Sequence, residues 1–279
     1  IIRDHAMAMF GAGNQVARIM FDGRGASPAG AAMAGGMSID AVDAHDDAVY
    51  ARAAANFDEM ISGGALVRDA APAFYIWRLE IDGHTQTGVV SAASTAGYEA
   101  GRIKRHEFTR PDKETDRVRH MEALSAATGP TLLAHRPDAA LAVCIDGATA
   151  GEPHIDITGP GDVRHTLWRV ANADAMAALG AALAALPAAD IADGHHRTAA
   201  ACRVAEARGI ADGRFLSVLF PSDQLTILDY NRVVKDLAGL TPEAFLARLG
   251  ETFHVQLAAE PTKPSVHHHI GLYLGDQWY

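Results

Sequence analysis

Residues 193–197 of this 279-residue chain read Asp-Gly-His-His-Arg, and they carry the side chains best suited to chemistry. The pentapeptide follows a short apolar run, residues 189–192, and precedes an alanine-rich helical run, residues 198–208. A glycine in a strand-to-helix turn lets backbone N–H groups point outward together, and the positive end of the helix dipole favours an anion such as phosphate. We therefore predict an anion site at Gly194 and Arg197, whose guanidinium adds further donors.

The other three side chains of the pentapeptide can act on protons or metals. His195 and His196 can give or take a proton near neutral pH, and Asp193 can take part in catalysis or bind a metal ion through water. A plain alternative exists, because adjacent histidines can cap a helix or face solvent and Asp-Gly can form an ordinary turn. The pentapeptide alone leaves both interpretations open.

A second polar cluster lies at residues 106–117, and Glu107 is its candidate general base. The candidate ligands of a nucleotide in this cluster are His106, Thr109, Arg110, Lys113 and Arg117. The last two lie four residues apart on one face of a predicted helix near its start, where positive charge costs about 0.3–1 kcal/mol. A bound anion would remove that cost. The alternative is a solvated helix in which Glu114 and Asp116 neutralise the bases.

Two further groups of polar residues lie in the C-terminal part of the chain. Residues 229–236 follow an apolar run, and Asn231 and Arg232 are candidates for reaching the same nucleotide. An ion pair between Arg232 and Asp236 on a turn explains this segment equally well. Residues 267–269 are three histidines, but in a strand the middle one points away from its neighbours, so we predict no metal site there.

The composition limits the class of protein. Hydrophobic residues make up 49% of the chain and charged residues 21%, so a sizeable core is expected. The net charge of −10 argues against general nucleic-acid binding, which needs a basic face. No apolar run reaches the roughly 20 residues that span a membrane. Cys144 and Cys202 are expected to be core thiols, which fits a cytoplasmic location.

The pattern of the whole chain predicts an α+β fold, with a mixed, largely antiparallel sheet and packed helices. The predicted strands are 74–80 and 85–93, joined by a turn at Asp82-Gly83, and 131–134, 141–145, 154–157, 166–170, 189–192, 214–220, 225–228, 253–257 and 268–274. The predicted helices are 48–61, 111–128, 173–186, 198–208 and one that begins at Thr241. We divide the chain into an N-terminal helical and irregular segment, residues 1–70, and an α+β core domain, residues 71–279.

These motifs together resemble a bacterial and archaeal family catalogued as the domain of unknown function 1015. The resemblance runs from residue 38 to residue 279 and is strongest at residues 106–117, 193–197 and 225–236. The pentapeptide is also similar to the phosphate loop of the ParB and sulfiredoxin-like group. That group includes CTP-hydrolysing partition proteins, sulfiredoxins and kinases of free serine, in which a Gly-x-x-Arg turn holds nucleotide phosphates. A ParB/sulfiredoxin-like subdomain is therefore implied.

The resemblance implies a nucleotide-dependent phosphotransferase that acts on a small hydroxyl compound, with free serine the leading candidate. The expected partners are that substrate and a nucleotide (ATP, ADP or CTP) with Mg²⁺, and a homodimer stays open. A non-catalytic, nucleotide-binding switch protein of the ParB-like group is the alternative. Family members also carry a Pro-Tyr-Asp segment near the start, which residues 1–37 lack, and continue past a Trp-Tyr like Trp278-Tyr279. We therefore expect this sequence to be a piece of a longer protein.

Overall fold

The computed structural model describes residues 45–227 and 231–279. The predictions for residues 1–37 lie outside the described residues. So do residues 228–230, which include the first two residues of the polar group at 229–236. The chain divides into two compact units, the first ending at Thr226 and the second spanning Ile227–Tyr279. The two polar clusters that surround Glu107 and Gly194 both belong to the first unit.

The first unit is built on one mixed eight-stranded sheet, as the sequence predicts. Its strands are β1 (Phe74–Ile81), β2 (His84–Ser94), β3 (Ile103–Lys104), β4 (Thr131–His135), β5 (Ile155–Thr158), β6 (Arg164–Val170), β7 (Ala189–Asp193) and β8 (Arg214–Pro221). They lie in the order β3-β7-β4-β8-β2-β1-β6-β5. The pairs β3–β7 and β4–β8 are parallel, and the other neighbours are antiparallel.

The described helices of the first unit flank this sheet. They are α1 (Asp47–Ser62), α2 (Thr95–Glu99), α3 (Pro111–Leu124), α4 (Ala139–Thr149), α5 (Ala173–Ala185) and α6 (His195–Ala207). Helix α6 packs against α3, β8 and β4, and α1 packs against α3. Helices α4 and α5 pack against each other.

Both faces of the sheet carry a hydrophobic core. Ile76 and Leu219 belong to the cluster that includes α4 and α5, whereas their chain neighbours Trp77 and Val218 belong to a second cluster with Phe220. Because successive side chains of a strand point to opposite faces, the two clusters cover the two sides of the sheet. Full burial of each large side chain contributes about 1.5–3 kcal/mol, so the sheet is a rigid base for the loops at its edges.

The predicted hairpin is confirmed by the pairing of β1 and β2. Asp82 and Gly83 form its turn with φ angles of 49° and 76°. Two successive positive φ angles are typical of the type I′ turn, whose twist matches that of the strands.

The predicted strand at residues 141–145 is wrong, because this segment is helix α4. The side chain of Asp138 caps the helix and accepts from the amide of Leu141 at 2.9 Å. Leu141 and Ile145 lie one helical turn apart and are both buried. A short apolar run fits a strand or a buried helix equally well, so its hydrophobicity alone was a poor guide.

Some predicted boundaries also move. Helix α3 ends at Leu124 instead of residue 128, because Ser125 adopts a left-handed conformation with φ 48°. Residues 225–227 form no strand, although a separate strand was predicted at residues 225–228.

The second unit contains one described helix, α7 (Pro242–Leu249), which begins one residue after the predicted start and has Thr241 as its N-terminal cap. The predicted strands at 253–257 and 268–274 are wrong for most of their length. Only Tyr273–Leu274 (β9) forms a strand, and it pairs with Gln277–Trp278 (β10). Among the residues that the structure describes, no helix is long and apolar enough to cross a membrane.

Candidate active site

The two polar clusters meet because the strands that precede them are parallel neighbours. Ile103 of β3 lies opposite Ala189 of β7. Parallel strands end at the same edge of a sheet, so the loop at residues 105–110 and the turn at Gly194 leave the sheet side by side. The helices that follow, α3 and α6, pack against each other and keep the two segments together.

The turn between β7 and α6 requires a glycine. Gly194 has φ 101° and ψ 25°, a left-handed conformation that residues other than glycine rarely adopt. A Cβ atom at this position would lie 2.8 Å from Nη2 of Arg197. No side chain in the described part of the molecule caps the start of α6. Gly194 has no side chain that could occupy the first-turn amides of α6, and the predicted anion site requires this.

Arg197 lies directly over this turn. Its Nη2 donates to Oδ2 of Asp193 at 2.8 Å, and only 17% of its side chain is exposed. Thr198 attaches the first turn of α6 to the sheet, because its hydroxyl forms a hydrogen bond of 3.0 Å with the hydroxyl of Thr131 on β4. A phosphate that binds here would compete with the Asp193 carboxylate for the guanidinium.

His195 opens helix α6 and faces the loop after β3. Its side chain is 3% exposed, and its Nδ1 lies 3.2 Å from Oε1 of Glu107, whose side chain is 54% exposed. The ring of His106 meets it edge-on at 4.5 Å between centroids. Burial lowers the pKa of His195, although the nearby Glu107 carboxylate acts in the opposite direction. The imidazole is therefore neutral at pH 7, with an accessible carboxylate against it.

His196 and Arg110 connect the two loops. The Arg110 amide donates to Nε2 of His196 at 3.1 Å, so this nitrogen acts as an acceptor from the loop. The Arg110 guanidinium is exposed and donates to Asp112 at 2.8 Å. The hydroxyl of Thr109 donates to Glu114 on α3. Because His196 already accepts a backbone hydrogen bond, the geometry favours Glu107 as the proton acceptor.

The remaining candidates lie further along the chain. Lys113 is half-buried in the first turn of α3, and Arg117 contacts Asp116 at 3.9 Å on the same helix. Asn231 and Arg232 belong to the second unit and are exposed residues outside helix and strand. Their predicted roles in nucleotide binding stay predictions.

A family model described as "protein of unknown function (DUF1015)" matches residues 37–279. The chain belongs to the DUF1015 family. This confirms the resemblance seen in the sequence motifs. No curated protein and no solved structure matches the chain.

Two features of this DUF1015 site escaped the sequence analysis. The contact between Glu107 and His195 depends on the parallel pairing of β3, which has only two residues and no visible periodicity. The ion pair between Asp193 and Arg197 could have been predicted, because two opposite charges four residues apart at the start of a helix are visible in the sequence.

Proposed function

We propose that this DUF1015 chain is a nucleotide-dependent phosphotransferase that acts on a small hydroxyl compound, with free serine as the leading candidate. One observation carries the proposal: Oε1 of Glu107 lies 3.2 Å from Nδ1 of His195. His195 precedes Arg197 by two residues in the first turn of α6. A carboxylate and a phosphate-binding turn are thus neighbours, which is what transfer of a phosphoryl group to a hydroxyl requires.

The phosphates of ATP, ADP or CTP would lie against Gly194, the first amides of α6 and Arg197. The left-handed Gly194 at the start of α6, with Arg197 in the first turn, supports the proposal of a ParB/sulfiredoxin-like phosphate loop and subdomain. Phosphate offers Arg197 more negative charge than the Asp193 carboxylate does, so it can replace Asp193 as the partner. Asp193, once released, would hold Mg²⁺ through water. The exposed Arg110, with His106 and Thr109 in the same loop, would contact the outer phosphates.

The acceptor hydroxyl would lie beside Glu107. Its oxygen forms the new bond to phosphorus, and the bond between phosphorus and the bridging oxygen of the nucleotide breaks. The electron pair of that bond leaves with the shortened nucleotide, and the hydroxyl proton goes to Glu107. His195 lies under the carboxylate and holds it in position.

The ion pair of Arg197 with Asp193 also supports a second function, a nucleotide-responsive switch without turnover. Exchange of Asp193 for phosphate would rearrange the turn at Gly194 and the start of α6 even if no bond were broken. The proposed partners of the phosphotransferase are a nucleotide and a small-molecule substrate, whereas the switch needs only a nucleotide. We place either function in the cytoplasm as part of the proposal. The net charge of −10 does not favour general binding of nucleic acid.

The experiment that separates the two functions follows ³¹P NMR signals. The chain is incubated with Mg²⁺, with ATP, ADP or CTP, and with a panel of amino acids that includes serine. A new phosphomonoester signal that Glu107→Gln loses supports the phosphotransferase. Nucleotide binding without product supports the switch, and the absence of both binding and product contradicts both.

A further inference from the structure

We infer that His106, Glu107 and His195 form a binding site for a divalent transition-metal ion such as Zn²⁺. Each of the three side chains offers one ligand atom, and these atoms lie within 4.8 Å of one another. Two imidazole nitrogens and one carboxylate oxygen are the ligands of several catalytic zinc and non-haem iron sites.

The spacing of the ligand atoms fits such an ion. Zinc bonds of about 2.0–2.2 Å place neighbouring ligand atoms of a tetrahedral site about 3.4 Å apart. Oε1 of Glu107 and Nδ1 of His195 lie 3.2 Å apart, so this pair already has the required separation. His106 has to move by little, because its ring already meets the ring of His195 at 4.5 Å.

The three ligands also differ in a useful way. His195 is buried at the start of α6, so its ring has one fixed orientation. His106 and Glu107 are exposed side chains of a loop outside helix and strand, so they can rotate onto an ion without disturbing the core. Their exposure leaves the remaining coordination positions open to solvent, as in catalytic rather than structural metal sites.

The nitrogen ligands determine which ions the site would select. Mg²⁺ prefers oxygen ligands and keeps several waters, whereas imidazole suits Zn²⁺, Fe²⁺ and their neighbours. The ion inferred here is therefore distinct from the Mg²⁺ that accompanies a nucleotide. A water molecule bound in an open position would become more acidic.

The inference does not depend on the phosphotransferase, because metal binding needs no nucleotide. The test has to remove one competitor, the histidines at residues 267–269, of which His267 and His268 have rings 4.6 Å apart. The parent protein for the experiment is therefore the full chain with H267A, H268A and H269A. After treatment with a chelator, it is titrated with Zn²⁺ and, separately, with Mg²⁺ in a calorimeter.

We expect one Zn²⁺ per chain and no measurable binding of Mg²⁺. Glu107→Gln and His106→Gln should each weaken Zn²⁺ binding by at least about tenfold. His154→Gln, at an exposed histidine elsewhere in the first unit, is the matched control and should bind as the parent does. Thermal unfolding of each variant confirms that it is folded.

Two results would overturn the inference. One is a parent protein that binds no Zn²⁺ once residues 267–269 are replaced. The other is unchanged affinity in both Glu107→Gln and His106→Gln. Neither result decides whether the chain is a phosphotransferase, because the ³¹P NMR experiment contains Mg²⁺ and no transition metal.

Discussion

Two histidine–carboxylate pairs lie in or beside helix α3. The distance between the two side chains is the same in both pairs, but the histidine is the buried member of one and the carboxylate is the buried member of the other. Glu107 and His195 lie 3.2 Å apart, and so do Asp116 and His45. In the first pair the histidine is 3% exposed and the carboxylate 54%. In the second the histidine is 55% exposed and the carboxylate 10%. The first pair therefore presents a carboxylate to solvent, and the second encloses it.

The enclosed carboxylate has a structural role. Asp116 accepts from the hydroxyl of Tyr50 at 2.7 Å, and Arg119 lies over the Tyr50 ring at 4.2 Å. Burial and the bond to Asp116 raise the pKa of Tyr50 to about 12. Since Tyr50 belongs to α1, these contacts hold α1 on α3. Exposure of the carboxylate, more than its distance to the histidine, therefore distinguishes the pair that we propose to be reactive from the structural pair.

The largest expected effect is that of Glu107→Gln on catalysis. Loss of the proton acceptor should lower the phosphotransfer rate by about 10²–10⁴-fold. Because the side chain is half exposed, the free energy of unfolding should change by less than about 0.5 kcal/mol. Single-turnover rates and urea unfolding measure the two quantities. A variant that is fully active, or that unfolds much more easily, would erase the distinction between the two pairs.

The next effect concerns His120, which is buried on α3 four residues after Asp116. Burial lowers its pKa from the ordinary value of 6.5 to about 4. Because the pKa of His120 is lower in the folded state than in the unfolded state, protonation favours unfolding. The contribution of neutral His120 to the free energy of unfolding is therefore complete above pH 6.5 and is lost as the pH falls towards 4. The loss should amount to about 3 kcal/mol at pH 4. Urea unfolding across this range measures it.

His120→Gln is the matched variant for this pH dependence. Glutamine stays neutral throughout the range, so the variant should show a weaker decline in the free energy of unfolding between pH 6.5 and pH 4. An identical decline in both proteins would mean that other groups cause the acid sensitivity.

Asp116→Ala should mirror Glu107→Gln. It leaves the Tyr50 hydroxyl without its carboxylate acceptor, and the free energy of unfolding should fall by about 2 kcal/mol. The activity per folded molecule should stay close to that of the parent, since Asp116 faces α1. Chemical unfolding and rates normalised to the folded fraction give the two numbers. A stable but inactive Asp116→Ala would place this residue in the active site and reverse the assignment.

The smallest effect is expected for Tyr50→Phe, which removes one hydroxyl from the enclosed pair. A single hydrogen bond to a charged group contributes about 1.5 kcal/mol, and the loss should be near that value. If the Tyr50→Phe and Asp116→Ala losses add in the double variant, the two side chains do not act on each other, contrary to the structure.

The sequence predicted much of the fold, because the deciding signals were local. The Asp82-Gly83 turn, the proline at the start of α3 and the cap of α7 each have a physical cause within a few residues. The prediction for the segment that forms α4 was wrong because a uniformly apolar run shows neither helical nor strand periodicity.

The candidate site was predicted less completely than the fold. The residues of both loops could be chosen from their chemistry, and the pairing of Glu107 with His195 could not. That contact depends on two strands distant in sequence, one of which has two residues. The contacts of His195 with Glu107 and with the His106 ring likewise join residues far apart in the sequence, and no local pattern reports them.

The proposed function depends most on an anion that binds at the turn around Gly194, and calorimetric titration of nucleotide into Arg197→Ala tests this binding directly. The matched control is Arg203→Ala on the same helix, whose side chain contacts Glu114 at 3.4 Å. We predict that Arg197→Ala loses nucleotide binding while Arg203→Ala keeps it, with both variants folded. Equal nucleotide affinity in Arg197→Ala and the parent would contradict the account.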